Sequence, residues 1–101
     1  MPEIVAELEA LRARLDRIDG TLLHSLRERL ECCIGIAEVK RRHGLPMMQL
    51  HRIGAVHRRA AEYARTHDID PGFLRRLYDL VIAETCRVET LVIHAAEGGE
   101  S

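Results

Sequence analysis

The N-terminal part of the chain carries apolar side chains at alternating spacings of three and four residues. This spacing predicts one continuous helix from about Glu3 to Arg42, because positions three or four apart share a helix face. Gly44 and Pro46 predict its end, since both residues are typical of helix termini. The predicted apolar stripe consists of Leu8, Leu11, Leu15, Ile18, Leu22, Leu26, Leu30, Cys33, Ala37 and Val39.

Two shorter helices are predicted in the rest of the chain. The first runs from about Gln49 to Thr66, with an apolar face at helical spacing. Asp70 is a good N-cap and Pro71 suits a first helical position, so a third helix is expected from there to about Ala95. We find no strand pattern and predict an all-α single domain over residues 1–96. Residues 97–101 are expected to be a disordered tail.

The length of the first helix predicts a second copy of the chain. A helix of about 40 residues is about 60 Å long. A compact domain of this chain length has a radius of gyration of about 13 Å. Because two shorter helices cannot cover such a helix, we expect an intertwined homodimer of three-helix chains.

The composition of the chain limits which kinds of partner and which cellular compartment are expected. The formal net charge is -1, which does not suggest a nucleic-acid or membrane partner. No apolar run has the length of a transmembrane span, and no signal-peptide core is evident. The three cysteines, of which two are adjacent, predict reduced, buried thiols in a cytoplasmic protein. The six histidines lack paired metal-ligand spacing, so neither a metal nor another cofactor is expected.

Two cations fall on or beside the apolar stripe. Arg29 lies seven residues after Leu22, and Lys40 lies eleven residues after Arg29 on nearly the same line. A buried cation is costly unless an anion meets it, so either internal carboxylates or an anionic ligand should do so. Arg12 is rotated by about 100° and lies about 25 Å away along the helix axis. It cannot serve the same site within one chain, but it could reach a partner's site in an antiparallel dimer.

Polar residues of the other two helices could complete a pocket. Arg52 opens the second helix, while Thr85 and Glu89 lie four residues apart on the apolar face of the third. Cations beside one acidic group suit a small dicarboxylate, since arginine binds carboxylates through two hydrogen bonds. The alternative is structural: the cations form surface pairs, Thr85 bonds back to its own helix, and Glu89 pairs with Arg87 or with a neighbouring chain.

A set of residues spread over about positions 5–94 matches the pattern of a known family. Its members are Leu11, Arg12, Leu15, Ile18, Asp19, Leu26, Arg29, Ala37, Lys40, Pro46, Arg52, Asp70, Pro71, Leu77, Tyr78, Ile82 and Thr85. In these residues the whole ordered chain resembles the all-helical class of chorismate mutases. That resemblance implies an intertwined dimer of three-helix chains. It also implies a [3,3] sigmatropic rearrangement, in which one C–O bond breaks as a C–C bond forms.

The resemblance implies roles for the cations. Arg29, with Arg12 from the other chain, would hold the two carboxylates of the substrate. Lys40 would donate a hydrogen bond to the ether oxygen of the enolpyruvyl group, and Arg52 would help to close the site. Catalysis would then come from holding the reactive conformer and from stabilising charge on the departing oxygen.

The resemblance also implies roles for two residues of the third helix. Thr85 matches a small hydroxyl residue that supports a carboxylate. Glu89 matches a position that is Gln or Glu in this class and faces the ether oxygen. Glu89 must be protonated to donate there, and burial raises the pKa of a carboxyl while nearby cations lower it. We therefore expect activity to fall as pH rises through the ionisation of Glu89.

Two substrate-binding positions depart from the family pattern. The family usually has an acidic residue where this chain has Gln49, and a Glu where it has Ile53. Those positions lie near the C4 substituent of the ring, so a C4 group other than hydroxyl is indicated. The segments Pro46–Ile53 and Ile82–Arg87 look like those of the 4-amino-4-deoxychorismate mutases of antibiotic pathways. Those enzymes make 4-amino-4-deoxyprephenate on the way to p-aminophenylalanine.

Two other functions remain open from the sequence. One is the rearrangement of chorismate to prephenate in aromatic amino-acid biosynthesis. The other is a non-catalytic helical dimer that binds a carboxylate effector or a partner enzyme, which the missing acids would also fit.

Overall fold

In the computed structural model the described residues form three helices: α1 (Pro2–His43), α2 (Leu50–Thr66) and α3 (Pro71–Gly99). It describes residues 2–46 and 50–99, with the side chains of residues 2–46 and 52–95. All regular elements in these ranges are helical, so the all-α prediction is confirmed. Helix α3 ends at Gly99, beyond the predicted end at Ala95, so residues 97–99 of the expected tail continue the helix. Residues 100–101 lie outside the described ranges.

The end of α1 is formed by a Schellman motif at Gly44. This glycine has a φ of 64°, a left-handed conformation that is open to a residue without a Cβ atom. The Leu45 N–H donates to the Lys40 carbonyl at 2.9 Å, and the Gly44 N–H donates to the Arg41 carbonyl at 3.4 Å. These bonds satisfy two carbonyls of the last turn and end the helix where the sequence predicts.

The turn between α2 and α3 uses two aspartates. Asp68 takes the left-handed conformation with a φ of 56°, which Asp tolerates better than most residues. The next residue, Ile69, donates its N–H to the Ala64 carbonyl at 2.9 Å. Asp70 then accepts a hydrogen bond from the Phe73 N–H at 3.1 Å, which confirms the predicted N-cap of α3.

The chain divides into two units, Met1–Cys32 and Cys33–Ser101. Within the first unit, the described residues form one helical segment of α1. Its predicted stripe lies open in a single chain, with side chains 45% to 60% exposed. The residues in question are Leu8, Leu11, Leu15, Ile18 and Leu22.

The second unit contains the last part of α1 together with α2 and α3. Helix α2 packs against α3. The buried apolar side chains among the described residues are Ala37, Ala60 and Ala64, whose small size lets helix backbones approach closely. Cys32 is exposed and Cys33 and Cys86 are half-buried, so the prediction of buried thiols is wrong. In the described part of the chain, none of the helices combines the length and the hydropathy that a membrane span requires.

Candidate active site

Two of the predicted cations lie in the first unit. Arg12 is exposed, and its Nη1 atom lies 3.3 Å from Oε1 of Glu9, in a pair whose side chains are 66% and 67% exposed. An exposed pair of this kind contributes little stability, so Arg12 can exchange Glu9 for another anion at small cost. Arg29 is half-buried, as its predicted position beside the stripe requires.

Lys40 lies in the second unit, in the last turn of α1. Its side chain is half-buried. Its carbonyl accepts the Leu45 N–H of the Schellman motif, so the backbone that carries this cation is held by the helix cap. The helix C-terminus is also the end at which the backbone dipoles favour a positive charge. Gly44, which ends the helix, therefore also helps to hold the backbone of Lys40 in place.

Thr85 on α3 is held by two neighbours. Its hydroxyl donates to the Val81 carbonyl at 2.9 Å, which is the back-bonded arrangement considered in the sequence. The Cys33 thiol donates to the Thr85 oxygen at 3.9 Å, a weak bond within the second unit. With its hydrogen directed at Val81, the hydroxyl has to rotate before it can donate to a ligand carboxylate. Sequence analysis placed Cys33 on an apolar stripe and missed this contact.

The first turns of α2 carry two more predicted residues. Arg52 is exposed and Ile53 is half-buried. The apolar Ile53 side chain gives this position no charge with which to bind a polar ring substituent. Gln49, predicted to lie beside it, falls outside the described residues.

Glu89 is half-buried on α3, four residues after Thr85. The sequence left open that Glu89 pairs with Arg87, but the hydrogen bonds described for Arg87 go to Glu84 at 2.7 and 2.8 Å. These bonds lower the pKa of the Glu84 carboxyl below its ordinary value, and they raise that of the Arg87 guanidinium. Arg87 is thus already engaged with a neighbouring carboxylate on its own helix.

A polar contact between α2 and α3 was not predicted. His57 Nε2 lies 3.2 Å from Oδ1 of Asp79, and the His57 side chain is only 13% exposed. Arg75 Nε lies 3.6 Å from the same oxygen. The sequence did contain one sign of this contact: His57 lies four residues after Ile53, on the apolar face of α2. Within residues 2–46 and 50–99, no three His, Cys, Asp or Glu side chains come together as a metal site.

Within the second unit, a half-buried cation, a hydroxyl and a carboxyl suit recognition of an anionic, oxygen-rich ligand. A lysine supplies charge to such a ligand, and a carboxyl donates a hydrogen bond only when it is protonated. Thr85 and Glu89 lie one turn apart on α3, so the two polar groups occupy the same side of that helix.

Comparison with known proteins agrees with this chemistry. Residues 11–90 match the family model for chorismate mutase type II. A 4-amino-4-deoxychorismate mutase of Streptomyces pristinaespiralis is 60% identical over 82 residues, which are 81% of this chain and 64% of that protein. A second protein of that name, from Streptomyces venezuelae, is 53% identical over 86% of this chain and 84% of its own length. A chorismate mutase of Methanocaldococcus jannaschii is 23% identical over 78% of this chain and 80% of its own length.

The match covers most of the chain, although the chain spans less than two thirds of the Streptomyces pristinaespiralis relative. The matched range begins next to Arg12 and includes Arg29, Lys40, Thr85 and Glu89. The family resemblance drawn from the sequence is therefore confirmed. This chain belongs to the chorismate mutase type II family.

Proposed function

We propose that this chain is an isomerase that converts 4-amino-4-deoxychorismate to 4-amino-4-deoxyprephenate, a step toward p-aminophenylalanine in antibiotic biosynthesis. The observation that carries the proposal is the 60% and 53% identity to two Streptomyces proteins named for that substrate. The reaction is a [3,3] rearrangement, in which the C–O bond of the enolpyruvyl ether breaks as a C–C bond forms. All atoms stay in one molecule, so the balance needs no second reactant.

The cations are proposed to bind the substrate's two carboxylates and to stabilise its departing oxygen. Arg29 and Arg12 of a second copy bind the carboxylates, because a guanidinium matches a carboxylate through two hydrogen bonds. Lys40 donates to the ether oxygen, where negative charge develops as the C–O bond breaks. Arg52 closes over the bound substrate; its exposure leaves the side chain room to swing.

Two groups of α3 are assigned to the same substrate. A protonated Glu89 donates a second hydrogen bond to the ether oxygen, and Thr85 turns its hydroxyl from Val81 to a substrate carboxylate. The half-buried state of both side chains supports this, because partial burial limits competition from water.

The C4 end of the substrate is assigned to Gln49 and Ile53. Ile53 is half-buried and apolar, and it stands where the family usually has an acid. An acidic side chain would accept a hydrogen bond from a C4 hydroxyl. The chain therefore lacks an expected chorismate contact there, which supports a different C4 group.

The proposed active form is a homodimer with shared sites. The supporting observation is the exposed stripe of the first unit, where five large apolar side chains lie in line at three- and four-residue spacing. Patches of this kind mark association surfaces. A second copy presents the same stripe, so two chains can cover each other and bring Arg12 to the partner's site. We also infer a cytoplasmic location, because the three described cysteines are free thiols.

The second candidate is the rearrangement of chorismate itself. It is favoured by the name of the matching family model and by the Methanocaldococcus jannaschii relative. Both candidate reactions use the same cations and differ only at the C4 end of the substrate.

One experiment separates these functions. The purified protein is incubated with 4-amino-4-deoxychorismate and, separately, with chorismate, and kcat/KM is measured for each. We expect the larger value for the amino substrate, and a loss of about 100- to 1000-fold in kcat for Lys40→Ala. A larger value for chorismate would favour the second candidate. Conversion of neither substrate would favour a non-catalytic dimer that binds a carboxylate effector or a partner enzyme.

A further inference from the structure

The face of α2 that includes its two buried alanines has only small side chains at those two positions. His57, Ala60 and Ala64 follow one another at spacings of three and four residues, so they lie on one side of the helix. Both alanines are buried, at 7% and 0% exposure. Methyl groups let two helices approach closely, but they interdigitate little and do little to set the position of one helix along the other.

A polar contact between His57 and Asp79 joins α2 to α3. Nε2 of His57 lies 3.2 Å from Oδ1 of Asp79, so the largely buried ring meets a carboxylate of the neighbouring helix at one defined atom. The other ring nitrogen, Nδ1, is buried and has no hydrogen-bond partner among the described residues. The imidazole thus makes its described polar contact across the helix pair, and a shift of α2 along α3 would break it.

Arg75 touches the same aspartate without joining the helices. Its Nε atom lies 3.6 Å from Oδ1 of Asp79, four residues further along α3. Both of these side chains are more than half exposed, at 64% and 56%. Arg75 and Asp79 both lie on α3, so their contact does not itself join α2 to α3. Arg75 is the matched control for His57.

We propose that the contact between His57 and Asp79 sets the place of the first turns of α2 on α3, and so tunes discrimination at the substrate's C4 end. Ile53 lies one turn before His57, on the same side of α2. Asp79 lies six residues before Thr85 on α3. His57 is thus a positioning residue that acts through Ile53 and Arg52. The assignment of the C4 end rests on the function proposed above.

The test compares variants by their ratio of kcat/KM for 4-amino-4-deoxychorismate and for chorismate. His57→Leu keeps an apolar volume but cannot donate to Asp79. It should lower kcat/KM for the amino substrate about 10- to 100-fold, as expected for a small misplacement of binding groups. It should also move the ratio toward one. His57→Gln can still donate through its amide and should restore most of both values, while Arg75→Ala should leave both unchanged.

A purely structural role would lower the melting temperature and leave the substrate ratio at its wild-type value. That result for His57→Leu overturns the proposal. If His57→Leu does not fold, Asp79→Ala replaces it, since it removes the acceptor from a half-exposed position. An unchanged ratio in Asp79→Ala overturns the proposal equally, and a shift toward one supports it.

Failure of the proposed function is recognised separately, because the wild-type protein would then prefer chorismate or convert neither substrate. The helix contact is in that case measured by amide hydrogen exchange over residues 52–57. Faster exchange in His57→Leu or Asp79→Ala than in Arg75→Ala supports the positioning role. Equal rates in all three variants overturn it.

Discussion

The two units of this chain contain similar patterns of apolar residues but differ in how exposed those residues are. In the first unit, Leu11, Leu15 and Leu22 are more than half exposed. In the second, Ala37, Ala60 and Ala64 are buried, and polar contacts such as His57–Asp79 join neighbouring helices. Periodicity alone therefore does not say where a stripe is covered. Large side chains in a lone helical segment indicate a cover from another chain, whereas small ones allow close packing within the chain.

The largest effect is expected from a charge placed on the exposed stripe. Leu15→Glu should abolish both the dimer and the activity, because the charge has to be buried against the partner's stripe. It also removes an apolar contact worth about 1.5–3 kcal/mol for each leucine. Sedimentation equilibrium and the rate with 4-amino-4-deoxychorismate measure the two losses.

The matched control for this variant is Arg17→Glu, which introduces the same residue on the same helix but off the stripe. It should remain dimeric and active. The assignment of the exposed stripe as the dimer surface would be wrong if Leu15→Glu stayed dimeric, or if Arg17→Glu dissociated to the same degree.

The second test asks whether Arg12 of one chain acts in the same active site as Lys40 of the other chain. Arg12→Ala and Lys40→Ala should each be nearly inactive. Mixed chains should form heterodimers with one intact site, which takes Lys40 from one chain and Arg12 from the other. After random exchange the mixture should regain about a quarter of the wild-type rate, because half of the dimers carry one good site of two. A mixture no more active than its parents would show that Arg12 does not act across the dimer.

Most of the fold follows from local signals in the sequence. The three- and four-residue spacing predicts the helices, Gly44 predicts the end of α1, and Asp70 with Pro71 predicts the start of α3. Each signal depends on residues that are neighbours in the chain, so backbone physics alone can interpret it. The end of α3 was placed too early, at about Ala95, because chain termini tend to be disordered, whereas the helix continues to Gly99.

The site was harder to predict from the sequence, because its contacts join residues that are far apart in the chain. Cys33 was interpreted as one more apolar position, and only the packing of the second unit shows its thiol beside Thr85. The contact of His57 with Asp79 likewise depends on how α2 meets α3, which helical period does not determine. The roles of Arg29, Lys40 and Glu89 came from family resemblance, since spacing indicates a shared face and not a ligand.

A smaller effect is expected from crowding the core of the second unit. Ala64 is fully buried, so Ala64→Leu has to push α2 away from its neighbours. Overpacking of this kind typically costs about 1–3 kcal/mol in the free energy of unfolding. Ala83→Leu is the control, since Ala83 is exposed on α3. Urea unfolding compares the two variants, and equal midpoints would mean that the second unit is not closely packed around Ala64.

The smallest effect is expected from the exposed pair of Glu84 and Arg87. Hydrogen bonds from Arg87 hold the pKa of Glu84 below its ordinary value of 4.5. The pair therefore adds stability that is fully present above pH 4.5 and is lost as pH falls through the lowered pKa of the folded state. Glu84→Gln should lower the melting temperature slightly at pH 7 and not at all at low pH, where Glu84 is protonated in both states. Because solvent screens an exposed pair, the shift should be far smaller than for Ala64→Leu. An equal loss at both pH values would mean that Glu84 stabilises α3 by packing and not by its charge.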